Sequence, residues 1–124
     1  MSKITFEETI EWFKSTDYAG PIGLTVKFPV PAENADKFRD FLNDYAPYVV
    51  KEEGCIEFTW HCDWKDPNAF WLTERWQSAK ILLKHLGPDS RPGTPYEGET
   101  PLKIMADLGA APDPAAIYRM GLTD

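Results

Sequence analysis

Basic residues are scarce in this chain: 13 lysines and arginines face 20 aspartates and glutamates, for a net charge of -7. That balance excludes a surface built for nucleic acid or an anionic membrane, since both need a positive field. No apolar run reaches the roughly 18 residues that a membrane-spanning helix requires. The opening MSKITFEETIEWFK has no apolar stretch and no small-residue cleavage site, so it reads as no secretory leader and a cytoplasmic location is expected. Cysteine is almost missing. Cys55 and Cys62 lie on one extended segment, where they point to opposite faces too far apart to bridge. Two buried, reduced thiols are expected. Signatures of bound groups are lacking as well: there is no G-x-G-x-x-G, no phosphate loop and no His/Cys/Asp cluster at ligand spacing, so neither cofactor nor metal is expected.

Aromatic residues are plentiful, with five Trp, five Tyr and seven Phe in 124 residues. They suit either a pocket for flat organic molecules or a large dry interface. A chain of this length makes one domain with one core.

Thr5 and Glu8 form a capping box for a helix through about Lys14, with Phe6, Ile10 and Phe13 on one side. IGLTVKF alternates as a strand. A long helix follows in PVPAENADKFRDFLNDYAPYVVKEEG, where Pro47 should kink or split the last turns and Gly54 should end it. IEFTWHCDW and AFWLTERW read as a hairpin across KDPN. Ile56, Phe58, Trp60 and Cys62 share one face of the first strand, and Phe70, Leu72, Glu74 and Trp76 one face of the second. Ser78 caps the helix AKILLKHL, and Gly87-Pro88 closes it. GPDSRPGTPYEGETP has the composition of a mobile loop. LKIMADL then reads as the fourth strand, and PAAIYRM as a short helical turn.

The sum is an α+β chain: a helical extension over residues 1–20, a ferredoxin-like βαββαβ domain with an antiparallel sheet over 21–108, and a tail over 109–124. With the helices on one side, the other sheet face is left bare. Thr59, His61, Trp71 and Met105 are expected there, so a second copy should cover it as a homodimer.

Glu74 and His85 are the two residues out of keeping with their surroundings. Each sits on the apolar side of its element, His85 by following Ile81 and Leu82 at helical spacing. His85 is either a core histidine satisfied by Glu74 or a carbonyl, or a proton acceptor oriented by Glu74. Glu74 reads equally as an ion-pair partner at the dimer seam. Trp60 and Trp76 are core aromatics or walls for a planar guest. Tyr45 and Tyr48 could each face a cleft under the long helix, with Tyr48 preferred as a phenolate binder. His61 and Arg75 belong to the seam, and nothing near Cys55 would activate it as a nucleophile.

VVKEEGCIEF, then KDPNAFWLTERW, then the S-x6-H of Ser78 and His85 together resemble the antibiotic biosynthesis monooxygenase family. Glu53, Gly54, Cys55, Asp66, Pro67, Glu74, Trp76, Ser78 and His85 carry the resemblance, over roughly Gly23 to Leu86. It implies a dimeric α+β barrel that oxygenates a quinol, anthrone or related polyphenol with dioxygen and no cofactor. A deprotonated polyphenol can pass an electron to dioxygen unaided, leaving the protein to supply a base, a dry pocket and orientation. Under that resemblance His85 and Glu74 are the expected catalytic pair. Trp60, Trp76, Phe41, Tyr48, Phe58 and Leu72 are the expected substrate walls, with the loop from Gly87 to Pro101 as a lid. The same barrel could instead bind a hydrophobic molecule or serve in stress without turnover, or abstract a proton as an isomerase or decarboxylase. Haem degradation fits poorly, because IGLTVKF lacks the asparagine of that branch. The decisive observation is a cavity of a few hundred Å3, about the size of a small-molecule site, beside the His85 ring.

Overall fold

A computed structural model describes residues 5–120 of the chain. The elements run α1 (Phe6–Ser15), β1 (Ile22–Pro29), a 3-10 turn (Ala32–Asn34), α2 (Ala35–Val49), β2 (Cys55–Cys62), β3 (Ala69–Trp76), α3 (Ala79–His85), α4 (Pro101–Asp107) and β4 (Asp113–Arg119). The strands form one antiparallel sheet in the order β2-β3-β1-β4, which is the ferredoxin-like arrangement. The extra N-terminal helix opens with both halves of the Thr5–Glu8 capping box in place.

Alternation on β1 turns Ile22, Leu24, Val26 and Phe28 inward, and on β3 Phe70, Leu72 and Trp76. Against them lies the buried stripe of α2, made of Phe38, Leu42, Tyr45 and Val49, with Leu82 of α3 and Met105 of α4. Burying these side chains is the main stabilising term, at roughly 1.5–3 kcal/mol each. On β2 the alternation breaks. A bulge between Cys55 and Glu57 throws Ile56 outward, 43% exposed, while Phe58 stays buried. Cys62 is exposed and Cys55 half-buried, both as free thiols, so the expectation of two buried thiols fails for Cys62. Pro47 does not split α2. The helix runs on to Val49, and Val50 N–H still reaches the Ala46 carbonyl at 3.1 Å.

The last two elements are exchanged relative to the sequence reading. LKIMADL is helical, because Thr100 caps it through the Lys103 N–H, Pro101 occupies its first turn, and Pro101 and Met105 bury one face. Alternating Leu102, Ile104 and Ala106 looked like a strand, but the cap outweighs that pattern. The stretch expected to be a helical turn is β4, which satisfies the otherwise open edge of β1. Pro114 is tolerated because it sits at the register shift opposite Val26, on an edge strand. The pairing also explains Gly23. A Cβ there would lie 2.1 Å from the Tyr118 ring, which rests directly on it.

The other sheet face is polar. Arg75 Nε donates to Glu57 at 2.7 Å, Trp71 Nε1 donates to Asp63 at 2.9 Å, and His61 is exposed. Met105 is not on it, being on the buried face of α4. Residues 87–100, expected as a mobile loop, are instead a run of turns docked on α2. The Tyr96 ring lies 4.9 Å from Tyr45, 5.7 Å from Tyr48 and 6.0 Å from Phe41, and its hydroxyl donates to Asp44.

Candidate functional site

Ser78 accepts the Ile81 N–H at 3.2 Å and so sets the phase of α3, which turns Ala79, Leu82 and His85 to the core. The His85 ring, 3% exposed, stacks on Trp76 at 4.6 Å and meets the edge of Phe58 at 5.6 Å. Its Nδ1 lies 3.1 Å from both carboxylate oxygens of Glu52. That carboxylate is also held by Arg91, whose Nη1 donates to Oε2 at 3.0 Å. Arg91 is 2% exposed, and its remaining bonds reach the carbonyls of His85, Gly87 and Glu99 at 2.9–3.1 Å. The guanidinium rests over the Tyr45 ring at 5.6 Å.

The expected Glu74–His85 hydrogen bond is therefore not formed. Glu74 and Trp76 share a face of β3, and the indole between them donates Nε1–H to Glu74 at 2.8 Å while its face stacks on His85. Glu74 remains a buried carboxyl. Burial pushes its ionisation above the usual carboxylate range, against the opposing pull of His85 and the Trp76 N–H. Tyr45 is equally sheltered. Burial drives its phenol far above the ordinary range, which keeps it a hydrogen-bond donor across ordinary pH.

These groups line an apolar crevice between sheet and helices, bounded by Leu24, Val26, Phe28, Phe58, Trp60 and Leu72 and closed by Phe6, Leu86, Leu102 and Met105. Tyr45, Glu74 and His85 bring the polar atoms to it. Its free volume is about 20 Å3, room for one water and not the few hundred Å3 expected beside His85. Tyr45 Oη and Trp60 Nε1 are both buried without a hydrogen-bond partner. On its other side His85 borders an open polar depression of about 240 Å3 with Lys51, Glu52, Glu53, Lys84, Asp89 and Ser90.

Of the expected walls, Trp60, Phe58 and Leu72 line the crevice. Trp76 lies behind it, against His85, while Phe41 and Tyr48 pack on Tyr96. Sequence reasoning missed Glu52 and Arg91, and preferred Tyr48 where Tyr45 lines the crevice. Glu52 had a signal, since Leu42, Tyr45, Val49 and Glu52 continue one stripe at spacings of three and four. Arg91, isolated among turn-forming residues, had none. Among the described residues no three His, Cys, Asp or Glu side chains gather as metal ligands, and no helix is long and apolar enough to cross a membrane.

The family profile described as antibiotic biosynthesis monooxygenase matches residues 21–90, more than half of the chain. The chain belongs to the antibiotic biosynthesis monooxygenase family. Solved structures show the same fold. A proposed antibiotic biosynthesis monooxygenase from Deinococcus radiodurans superposes with a TM-score of 0.61 at 21% identity, covering 84% of this chain and 95% of that one. A conserved protein from Methanosarcina mazei gives 0.64 at 20% identity, over 83% and 95% of the two chains. A second proposed family monooxygenase, from Caulobacter crescentus, gives 0.59 at 20%, over 86% and 93%. Among curated proteins none matches. The family match ends at Ser90, so Arg91 and Tyr96 lie beyond it while the residues they dock on, Glu52, Asp44 and Tyr45 among them, lie within it.

Proposed function

We propose that this family member oxygenates an electron-rich aromatic of the quinol, anthrone or related polyphenol class, with His85 as the proton acceptor. The observation that carries the reading is the pair of unpartnered buried polar atoms, Tyr45 Oη and Trp60 Nε1, on two residues that line an apolar crevice shared with His85 and Glu74. Orphaned buried donors are costly to a folded chain, and an oxygen-bearing ring would satisfy them.

Glu52 occupies Nδ1 of His85, which leaves Nε2 as the nitrogen that takes the substrate's acidic proton. The resulting anion passes one electron to dioxygen, and the two radicals join at a ring carbon that still bears hydrogen. Breaking the O–O bond of this peroxide leaves one oxygen on the carbon as a ketone and releases the other as water. Tyr45, Trp60 and Glu74 hold the ring oxygens, and Phe58 and Leu72 form the sheet-side wall on which the ring lies. Entry requires the half-buried Phe6, Leu86 and Leu102 on the solvent side of the crevice to move apart.

Oxygen uptake by metal-free protein across a panel of hydroquinones and anthrones tests this. His85→Ala should lower kcat/KM on the order of a hundredfold or more. An unchanged rate would remove His85 from the chemistry.

The smallness of the crevice favours a second reading, a barrel that binds a hydrophobic molecule without turnover, with His85 and Glu74 as structural groups. No oxygen uptake from any panel member, together with lower melting temperatures for His85→Ala and Glu74→Ala, would select it. In either reading the polar sheet face bearing Thr59, His61 and Trp71 seats a second copy of the chain. Sedimentation at micromolar concentration should show a dimer, and a purely monomeric species would reject it.

A further inference from the structure

His85 stands in the partition between two spaces of opposite character. One side of the partition is the apolar crevice with Glu74 and Tyr45, and the other is the depression with Lys51, Glu53, Lys84 and Asp89. Glu52 links the His85 ring to the outer one. Its side chain is only 6% exposed, yet it lines the outer depression while both its oxygens sit 3.1 Å from His85 Nδ1. We infer that Glu52 is the proton outlet of the site, a positioning residue that carries protons between His85 and water in the outer depression. The inference rests on the reading of His85 as the proton acceptor.

The charges fit this role. Arg91 stays protonated, so its pair with Glu52 is neutral and His85 is not needed as a counter-ion. The outlet requires the ring to carry its proton on Nδ1 and donate it to the carboxylate. When Nε2 gains the substrate proton, the ring passes its Nδ1 proton to Glu52, which gives it to water in the depression. The ring is then neutral with its proton on Nε2. Giving that proton to the oxygen-derived anion, and drawing another inward through Glu52 to Nδ1, restores the starting state. No electrons move in either leg, and each proton taken up is released. A purely structural Glu52–Arg91–His85 triad needs no opening to solvent, but here Glu52 lines one.

The path can be read without turnover, in protein labelled with 15N-histidine. His85 should carry its proton on Nδ1. Exchange of that proton with solvent should slow on the order of tenfold in Glu52→Gln, whose amide cannot relay it. In Glu52→Ala, formate entering the vacated space should restore exchange in proportion to its concentration. With an accepted quinol, both variants should lose kcat by roughly ten- to a hundredfold with KM little changed, and formate should rescue the alanine variant alone. Should Glu52→Ala fail to fold, the wild-type tautomer and the isosteric glutamine variant decide. A wild-type ring protonated on Nε2, exchange unaffected by Glu52→Gln, or a folded alanine variant that formate does not rescue would each overturn the outlet, even if quinols are oxidised. Normal exchange behaviour with no oxygen uptake from any quinol would instead overturn the oxygenase reading and leave the outlet standing.

Discussion

Replacing Arg91 with alanine is the most demanding test of how this site is held. The guanidinium makes four hydrogen bonds, to Glu52 Oε2 and to the carbonyls of His85, Gly87 and Glu99, and its side chain is 1% exposed. Alanine would leave the buried Glu52 carboxylate with His85 as its remaining partner and strip a donor from three main-chain oxygens. Removing one member of a buried ion pair costs about 3–5 kcal/mol, mostly from the charge left behind. A domain of this size has an unfolding entropy of roughly 0.25 kcal/mol per kelvin, so that loss corresponds to about 12–20 °C in melting temperature. Arg91→Lys keeps the charge but not the planar fork that reaches two directions at once, so its loss should be about half as large. Thermal melts and urea titrations at neutral pH measure both. Limited proteolysis should show residues 87–100 cut far sooner in the alanine variant. A fall of less than about 3 °C would mean that water replaces the guanidinium at little cost, and that Tyr96 and Asp44 hold these turns without it.

Two further substitutions separate what is buried for stability from what is buried for a guest. Glu74→Gln keeps the acceptor oxygen for the Trp76 N–H while removing the ionisation. The folded-state value of Glu74 is raised above its ordinary 4.5, so the stability it contributes is complete below that value and is lost as pH rises through the folded one. The glutamine variant should therefore match wild type near pH 4 and exceed it at pH 8. Urea midpoints at the two pH values check this, and equal midpoints at both would contradict it. Tyr45→Phe removes a buried hydroxyl that has no partner, so it should cost nothing and can stabilise by up to about 1 kcal/mol. It should still weaken binding of a phenolic ligand about fivefold in calorimetry. A clear drop in melting temperature would show that the hydroxyl already has a partner.

The fold was legible wherever many residues repeat one message. Ile22, Leu24, Val26 and Phe28 alternate, the α2 stripe recurs every three or four residues, and Thr5 and Ser78 announce their helices through single caps. It was misread where two messages compete. Leu102, Ile104 and Ala106 alternate like a strand, but the Thr100 cap and Pro101 start a helix, and β4 is assigned by the empty edge of β1, which no local pattern of its own announces. The site was legible only in part, for a different reason. His85 and Glu74 stood out as polar residues in apolar company, and both are buried at the crevice. What satisfies them was hidden. Periodicity marks which face a residue occupies but not which distant residue meets it there, and Glu52 and Arg91 reach each other across 39 positions of chain. Pairing Glu74 with His85 was the local guess. The indole of Trp76 defeats it, since a planar ring that stacks on the imidazole and donates its N–H to the carboxyl satisfies Glu74 while holding it off. With Glu74 engaged elsewhere, Nδ1 is left to Glu52, and the ring is held from the solvent side of the partition. That arrangement spares Glu74 the task of orienting the imidazole, so a buried carboxyl faces the crevice beside a ring whose Nδ1 is held from the other side.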